Sequence, residues 1–180
     1  METNLYTVTI PPMMKALKAL DGILSKVDTH AKGKQLAWHP AGLQEDALLQ
    51  SRLISDQFPF IRQVQIACDN GKGGAARLAE VEMPKYEDTE KTIADLKARI
   101  GKTLDFMKTI KPEQVIGKEG IKVTLPYWPD KHMTGFGYAT EYLIPNFFFH
   151  VTTAYSILRK NGVDLGKDDF MGGLLLKDSQ

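Results

Sequence analysis

The sequence predicts an all-α protein built as a four-helix bundle. Four segments carry apolar residues at alternating spacings of three and four, which is the period of a helix packed in a bundle. Signals that start and stop helices lie beside these segments. The chain of 180 residues is long enough for one sizeable core and short for two, so we expect a single domain over residues 1–180.

The first two apolar stripes lie in the N-terminal half of the chain. The first follows Pro11 and Pro12, which suit the first turn of a helix. Its residues are Met13, Leu17, Leu20, Leu24 and Val27. The second stripe mixes small and large residues, namely Ile61, Val64, Cys68, Gly71, Ala75 and Leu78. Each stripe predicts one helix with its striped face toward the core.

The third and fourth stripes predict the other two helices. Asp88 or Thr89 is available to cap the third helix at its N-terminus. Asn161 and Gly162 supply a C-terminal signal for the fourth. The third stripe consists of Ile93, Leu96, Ile100, Thr103, Met107 and Ile110. The fourth consists of Leu143, Phe147, His150, Ala154 and Ile157.

Two connections between these helices carry structure of their own. The segment "ALLQSRL" predicts a short extra helix after the loop that contains Trp38 and His39. Between the third and fourth helices, "GIKVTLPYWPDKHMTGFG" alternates apolar and polar residues around a proline-rich turn, which predicts a small two-stranded excursion. Its aromatic turn "PYWP" fits the mouth of a ligand site and equally the end of a bundle.

Composition excludes several classes of protein. The formal net charge of +1 lacks the basic excess of a nucleic-acid-binding protein. The N-terminus does not have the pattern of a signal peptide, and no apolar run reaches the roughly 20 residues that span a bilayer. The single cysteine, Cys68, allows no internal disulfide and no cysteine-based zinc site. We therefore expect a cytoplasmic protein with no membrane or nucleic-acid partner.

The glycine-rich segment "DNGKGGAARL" invites comparison with a phosphate-binding loop. That motif needs a lysine followed by serine or threonine after its last glycine, and here "KGG" is followed by "AAR". Small residues on the packed stripe of a helix more simply allow a close approach of the next helix. Cys68, on the same stripe, is interpreted as a buried core residue rather than a reactive thiol.

His150 is the strongest candidate for a functional residue. It falls on the inward stripe of the fourth helix, one turn after Asn146, so both side chains can point into the bundle. Bundles build metal and cofactor sites from such side chains. Pro145 cannot donate a hydrogen bond to the carbonyl of Glu141, so we expect the helix to bend there.

The alternative is that His150 is only a buried imidazole with a hydrogen bond, for which Gln63, Gln65 and Tyr155 are candidate partners. A metal site needs about three ligands, and no other residue of this helix supplies one. The remaining histidines, His30, His39 and His132, are expected at a helix end or in loops.

Four phrases of the chain resemble an uncharacterised-domain family of bacterial and fungal proteins, related to the DinB-like helical bundles. They are "PPMMKALKALDGILSKV", "FPFIRQVQIACDNGKGGAARLA", "YEDTEKTIADLKARIGKTLDFM" and "NFFFHVTTAYSILRKNGVDLGKDDFMGGL". The resemblance covers essentially the whole chain. It implies a DinB-like four-helix bundle, in a superfamily that includes proposed metalloenzymes and thiol-dependent transferases and whose members commonly form dimers.

The resemblance also implies where a site would lie. In DinB-like proteins the last long helix carries two histidines four residues apart, and these positions match Asn146 and His150 here. A third histidine belongs on the second helix, which has none in this chain, so Gln63, Gln65 or Asp69 would have to replace it. The implied ligand-binding set is His150, Asn146, Gln63 and Asp69, with His150 as a ligand of a divalent metal such as zinc or nickel.

Two functional hypotheses follow. In the first, the bundle binds a small ligand or a metal at the His150 and Asn146 site, with His150 as a ligand or a general base. In the second, the protein is a non-catalytic homodimer that serves as a structural or interaction module, and His150 only satisfies a buried hydrogen bond. The sequence leaves the substrate, the reaction and the status as an enzyme open.

Overall fold

The computed structural model describes residues 3–33, 45–174 and 176–178, with side chains described up to Val27 in the first range. Trp38 and His39, and the side chain of His30, lie outside the described residues. The described chain is mostly helical, as the sequence predicted. In chain order its elements are α1 (Leu5–Gly33), α2 (Glu45–Gln50), α3 (Phe60–Leu78), α4 (Ile93–Thr109), α5 (Pro112–Val115), β1 (Lys122–Val123), β2 (Met133–Thr134), α6 (Gly135–Gly137), a π-helical turn (Tyr138–Leu143, the π turn), α7 (Ile144–Lys160) and α8 (Lys167–Met171).

The four long helices α1, α3, α4 and α7 form the bundle. Helix α3 packs against both α7 and α4, and α1 closes the bundle by packing against α4 and α7. The predicted stripes face the core, since their members are buried, with one exception. Ile61 is only half-buried because the inward face of α3 starts one residue earlier, at the fully buried Phe60.

The start of α1 differs from the prediction. The helix begins at Leu5, so Pro11 and Pro12 lie inside it rather than in its first turn. Asn4 and Thr7 explain the earlier start: the Thr7 N–H donates to Asn4 Oδ1 at 3.1 Å, and the Asn4 N–H donates to Thr7 Oγ1 at 3.0 Å. These two bonds give acceptors to N–H groups at the start of α1 that have no partner within the helix itself.

The cap of α4 also differs from the prediction. Thr92, not Asp88 or Thr89, is the N-cap, and its side chain accepts from the Asp95 N–H at 3.0 Å. The Asp95 carboxylate accepts in return from the N–H groups of Lys91 and Thr92, and these bonds lower the pKa of Asp95. Asp88 instead forms ion pairs with arginines of the bundle.

Both decorated connections are present. The short helix α2 covers residues 45–50, so it begins two residues before the predicted segment, residues 47–53, and ends three residues before it. In the excursion, β1 and β2 pair antiparallel, with Lys122 opposite Thr134 and Val123 opposite Met133. Among the described residues, none of the helices combines the length and the hydropathy that a membrane-spanning segment needs.

The region around Pro145 departs from a regular α-helix. The chain forms the π turn immediately before α7, and Pro145 lies in the first turn of that helix. Proline lacks the N–H that would continue the ladder of hydrogen bonds, so an irregular turn next to it is expected. The π turn sets the direction of Tyr138 and Tyr142, which face α3.

Candidate functional site

Helix α3 runs antiparallel to α7 and to the π turn that precedes α7, and we call the contact between them the seam. Polar side chains meet along the whole length of this seam. They form contacts at three levels: Gln63 with His150, Asn70 with Asn146, and Arg77 with Tyr138. Between the second and third levels, Gly74 lies against the side chain of Leu143, so the helices approach closely there. The seam is therefore an apolar contact interrupted by three polar pairs.

At the first level, His150 is a buried, hydrogen-bonded imidazole. Its Nδ1 lies 2.6 Å from Gln63 Oε1, while Gln63 Nε2 donates to the Phe58 carbonyl at 3.0 Å. Because the second bond fixes the amide orientation, Gln63 Oε1 must accept, and we assign the proton to Nδ1 of His150. Burial, reinforced by the charge of Arg62, lowers the pKa of His150 to about 4. The ring is therefore neutral at pH 7.

The other two candidate partners of His150 bind elsewhere. Gln65 Nε2 donates to Glu90 Oε2 at 2.8 Å, and the Tyr155 hydroxyl lies 3.5 Å from the Leu165 carbonyl. Of the three partners proposed from the sequence, Gln63 is the one that the fold brings to His150.

At the second level, Asn146 Nδ2 donates to Asn70 Oδ1 at 3.1 Å. Asn146 is thus near the seam, but it does not contact His150 in any hydrogen bond between described residues. The Nδ2 of Asn70 is buried and has no hydrogen-bond partner among the described residues. A buried amide donor left in this state costs about 1–3 kcal/mol, unless a bound molecule supplies an acceptor.

The residues at these levels do not fit a metal ion. Within the described chain no group of three or more His, Cys, Asp or Glu side chains could hold one. The Nδ1 of His150 is occupied by Gln63, and the carboxylate of Asp69 points to cations, with Lys72 Nζ at 3.2 Å and Arg99 at 2.8 Å. We therefore derive no chemistry through a metal at this site.

Asp69 belongs to a charge network centred on Arg99. The Arg99 side chain is 1% exposed and pairs with Asp69 at 2.8 Å, Asp88 at 2.9 Å and Glu90 at 2.9 Å. Burial alone would lower the pKa of Arg99, but the hydrogen bond to Glu90 and the charge of Asp69 outweigh it and raise that pKa. This network joins α3 and α4 to the segment between them.

Lys72 joins this charge network through its ion pair with Asp69. Its ammonium group is almost fully buried, donates to the Pro84 carbonyl at 3.0 Å and lies 4.5 Å above the ring of Tyr86. Asp69, at 3.2 Å, compensates its charge. Lys72 therefore belongs to the same charge network as Arg99, and both Lys72 and Asp69 border the neighbouring cavity.

The third level opens into a cavity of about 200 Å³, which we name the Arg77 pocket. Helix α3 forms one wall, the π turn another, and the aromatic turn after β1 the rim. Its lining residues are Asp69, Asn70, Lys72, Arg77, Met83, Leu125, Tyr127, Tyr138 and Tyr142. Of the four site residues predicted from the sequence (His150, Asn146, Gln63 and Asp69), Asp69 lines this pocket. Asn146 does not line it, but it donates a hydrogen bond to Asn70, which does.

The glycines of "KGG" shape this wall. A Cβ on Gly73 would collide with the Arg77 guanidinium and lie 3.2 Å from Met83 Sδ, so the glycine lets Arg77 fold back along α3. A Cβ on Gly74 would collide with Leu143. The prediction that these residues serve close packing is confirmed, and the segment lies inside a helix rather than in a phosphate-binding loop.

Three tyrosines complete the pocket. The hydroxyls of Tyr127 and Tyr142 are hydrogen-bonded to each other. The ring of Tyr142 stacks on that of Tyr138, with the two ring centroids 5.7 Å apart. Burial raises the pKa of Tyr127, with the Tyr142 hydrogen bond adding to it, and burial also raises the pKa of Tyr138. The Tyr127 and Tyr138 hydroxyls are therefore protonated at neutral pH. Of the "PYWP" turn, Tyr127 lines the pocket, while Trp128 packs against Tyr142.

Sequence reasoning missed Arg77, Asn70, Tyr138 and Tyr142. Asn70 and Arg77 are seven residues apart, which puts them on one face of a helix two turns apart, and that spacing could have been read. The two tyrosines could not be assigned to this face because their direction depends on the π turn.

Two further cavities among the described residues are larger than the Arg77 pocket, and their walls are less polar. One of about 290 Å³ lies among residues of α1, α7 and α8, including Pro12, Phe148 and Phe170. The other, of about 420 Å³, lies between Phe149 and the loop that contains Leu53. Neither brings a cationic group and several hydroxyls together as the Arg77 pocket does.

Comparison with known proteins agrees with this fold. A family model described as a domain of unknown function, DUF1993, matches residues 5–171, so the chain belongs to that family. A crystal structure of a DinB family member from Shewanella denitrificans is similar, with a TM-score of 0.89 and 41% sequence identity, covering 97% of this chain and 96% of that one. The fold is therefore that of a DinB-like helical bundle. No curated protein matches the chain.

Proposed function

We propose that this DinB-like bundle binds a small organic molecule in the Arg77 pocket, without a metal ion. The observation that carries the proposal is the convergence of Arg77, Asn70 and the tyrosine hydroxyls on a cavity of about 200 Å³. An engineered cavity of about 150 Å³ is large enough to hold benzene. A pocket with a few placed polar groups and apolar walls has the character of a small-molecule site.

In this proposal the residues first suggested by the sequence take different roles. Asn146 orients Asn70 at the floor of the pocket, and Asp69 compensates Lys72 at its edge. His150 and Gln63, at the far level of the seam, hold α3 and α7 together and do not contact the ligand. The irregular backbone of the π turn supports the assignment, because π turns inside helices are frequent at functional sites.

The test is a titration of ¹⁵N-labelled protein with neutral, cationic and anionic aromatic fragments of up to about ten heavy atoms, in the presence of EDTA. We expect at least one fragment to shift the amide signals of residues 69–77 and 138–142. Phe149→Ser, which alters a different groove, serves as the control and should leave these shifts unchanged. Shifts confined to the grooves beside Phe148, or pocket shifts that appear only in a parallel titration without EDTA, would contradict the proposal.

The second candidate function, a homodimer, is supported by an apolar surface beside α7. Phe58, Ile54 and Phe149 are each more than half exposed, and Leu53 is 37% exposed. Leu53 and Phe149 line the same groove, so the surface is continuous there. We propose that a second copy of the chain covers it.

Sedimentation velocity over a hundredfold range of protein concentration tests this second proposal. We expect a dimer in the parent and a monomer in the double variant Phe58→Ser, Phe149→Ser. A parent protein that sediments as a monomer at the highest concentration would contradict it. Phe136→Ser, at an exposed aromatic on the short helix after β2, is the matched control.

A further inference from the structure

We infer that the ligand of the Arg77 pocket is a small monocarboxylate whose carboxylate group is bound by the Arg77 guanidinium. The inference rests on the binding function proposed above and adds the chemical class of the ligand. Its basis is the balance of charges and of hydrogen-bond donors around the cavity.

The charge balance of the pocket favours one negative charge. Asp69 pairs with both Lys72 and Arg99. The connected ion pairs join three cations to three carboxylates and so leave no net charge; the members are Lys72, Arg62, Arg99, Asp69, Asp88 and Glu90. Arg77 has no carboxylate within 4 Å among the described residues, whereas Arg62 and Arg99 both pair with acids. The Arg77 guanidinium donates a long hydrogen bond, of 3.5 Å, to the Tyr138 hydroxyl. One uncompensated guanidinium therefore faces the cavity, and the planar fork of arginine matches a carboxylate.

The hydrogen-bonding groups of the pocket are mainly donors. In the pair formed by Tyr127 and Tyr142, one hydroxyl donates to the other, so the accepting hydroxyl keeps a proton to donate. The buried Nδ2 of Asn70, a residue that lines the pocket, also has no hydrogen-bond partner among the described residues. A carboxylate accepts through two oxygens and can satisfy several donors at once. A neutral carbonyl offers a single acceptor oxygen and no charge to pair with Arg77, and a cationic ligand would be repelled by the guanidinium.

The volume of the Arg77 pocket and its apolar lining limit which monocarboxylates can bind. Met83 and Leu125 are the apolar side chains that line the pocket, so the remainder of the ligand is apolar. The volume of about 200 Å³ suits an aromatic or short branched acid of about nine heavy atoms. A dianionic phosphate would require a second free cation, and Lys72 is already paired with Asp69.

The experiment is a set of amide-shift titrations with benzoate, benzamide and phenyl phosphate, which share an aromatic ring and differ in the polar group. We expect benzoate to bind at the Arg77 pocket at least tenfold more tightly than either of the other two. In Arg77→Gln, benzoate should lose about tenfold or more in affinity and become equal to benzamide. Arg159→Gln, which alters an exposed arginine of α7 far along the helix, should leave benzoate binding unchanged.

The outcomes separate this inference from the function on which it rests. Benzamide or phenyl phosphate binding as tightly as benzoate would overturn the carboxylate class and leave a small-molecule pocket in place. Shifts at no pocket residue with any fragment would overturn both. Arg77→Lys, which keeps the charge and loses the fork, provides a second variant if Arg77→Gln does not fold, and circular dichroism checks the fold of each.

Discussion

The imidazole of His150 and the amide of Gln63 form a buried hydrogen bond of 2.6 Å across the seam between α7 and α3. The Gln63 amide is anchored in turn by the Phe58 carbonyl, so the arrangement has one orientation and the histidine one tautomer. With its pKa lowered to about 4, the ring is neutral at pH 7 and joins the two helices through this bond. The polar groups that we propose for ligand binding lie at the third level of the seam, around Arg77.

The first prediction concerns the pH dependence of stability. The pKa of His150 is about 4 in the folded protein and about 6.5 when exposed, so the unfolded state binds more protons between these values. The free energy of unfolding should therefore be highest above pH 6.5 and fall as pH is lowered toward 4, by up to about 3 kcal/mol from this residue. Urea unfolding at pH 7 and pH 4.5 measures it.

His150→Gln is the control for this prediction, because it removes the titrating group and leaves the carboxylates in place. It should show a smaller loss of stability between the two pH values than the parent. Equal losses in the two proteins would show that His150 does not titrate as described.

The second prediction concerns the charge network. Arg99→Ala should destabilise the protein by about 3–5 kcal/mol, because it leaves the almost buried Glu90 carboxylate without its cation. Lys108→Ala removes an exposed ion pair with Asp105 and should change stability by less than about 1 kcal/mol. Chemical denaturation of both variants provides the comparison. Similar effects of the two changes would argue against a structural role for the network.

The third prediction contrasts two helical glycines. Gly74→Ala should destabilise by about 1–3 kcal/mol, because its methyl group collides with the fully buried Leu143. Gly101→Ala meets no atom within 4 Å in the middle of α4 and should stabilise by about 0.5–1 kcal/mol. Thermal melting of the two variants beside the parent tests the contrast. A stabilising Gly74→Ala would mean that the seam is wider than described.

The fourth prediction concerns Cys68. The thiol is fully buried, and burial raises its pKa to about 12 against the smaller opposing effect of a hydrogen bond with Thr103. Because the thiolate is the reactive form, labelling with Ellman's reagent at pH 8 should be negligible in the folded protein. The rate should rise with urea in parallel with unfolding. Stoichiometric labelling within minutes under native conditions would be inconsistent with a core cysteine.

The bundle could be predicted because apolar residues recur every three or four positions on the buried face of a helix, and this spacing is visible in the sequence. All four stripes face the core. The cap of α4 was missed although Thr92 and Asp95 have the spacing of a capping box, a local signal that could have been used. The start of α1 was assigned to Pro11 and Pro12 from a statistical preference, whereas the Asn4 and Thr7 pair lies upstream.

The candidate site was harder to predict for a physical reason. The contact of His150 with Gln63 was among the alternatives, because both lie on inward faces. The Arg77 pocket, in contrast, depends on the π turn, which rotates Tyr138 and Tyr142 toward α3, and on the turn that brings Tyr127 beside them. Neither the rotation nor the packing of that turn has a local sequence signature.

The most direct test of this account is a crystal structure of the protein grown with benzoate and EDTA. We predict density for benzoate in the Arg77 pocket, with its carboxylate oxygens within hydrogen-bond distance of the Arg77 guanidinium and its ring between Met83 and Leu125. Density for benzoate only in the grooves beside Phe148, or a pocket filled by water alone at saturating benzoate, would contradict it.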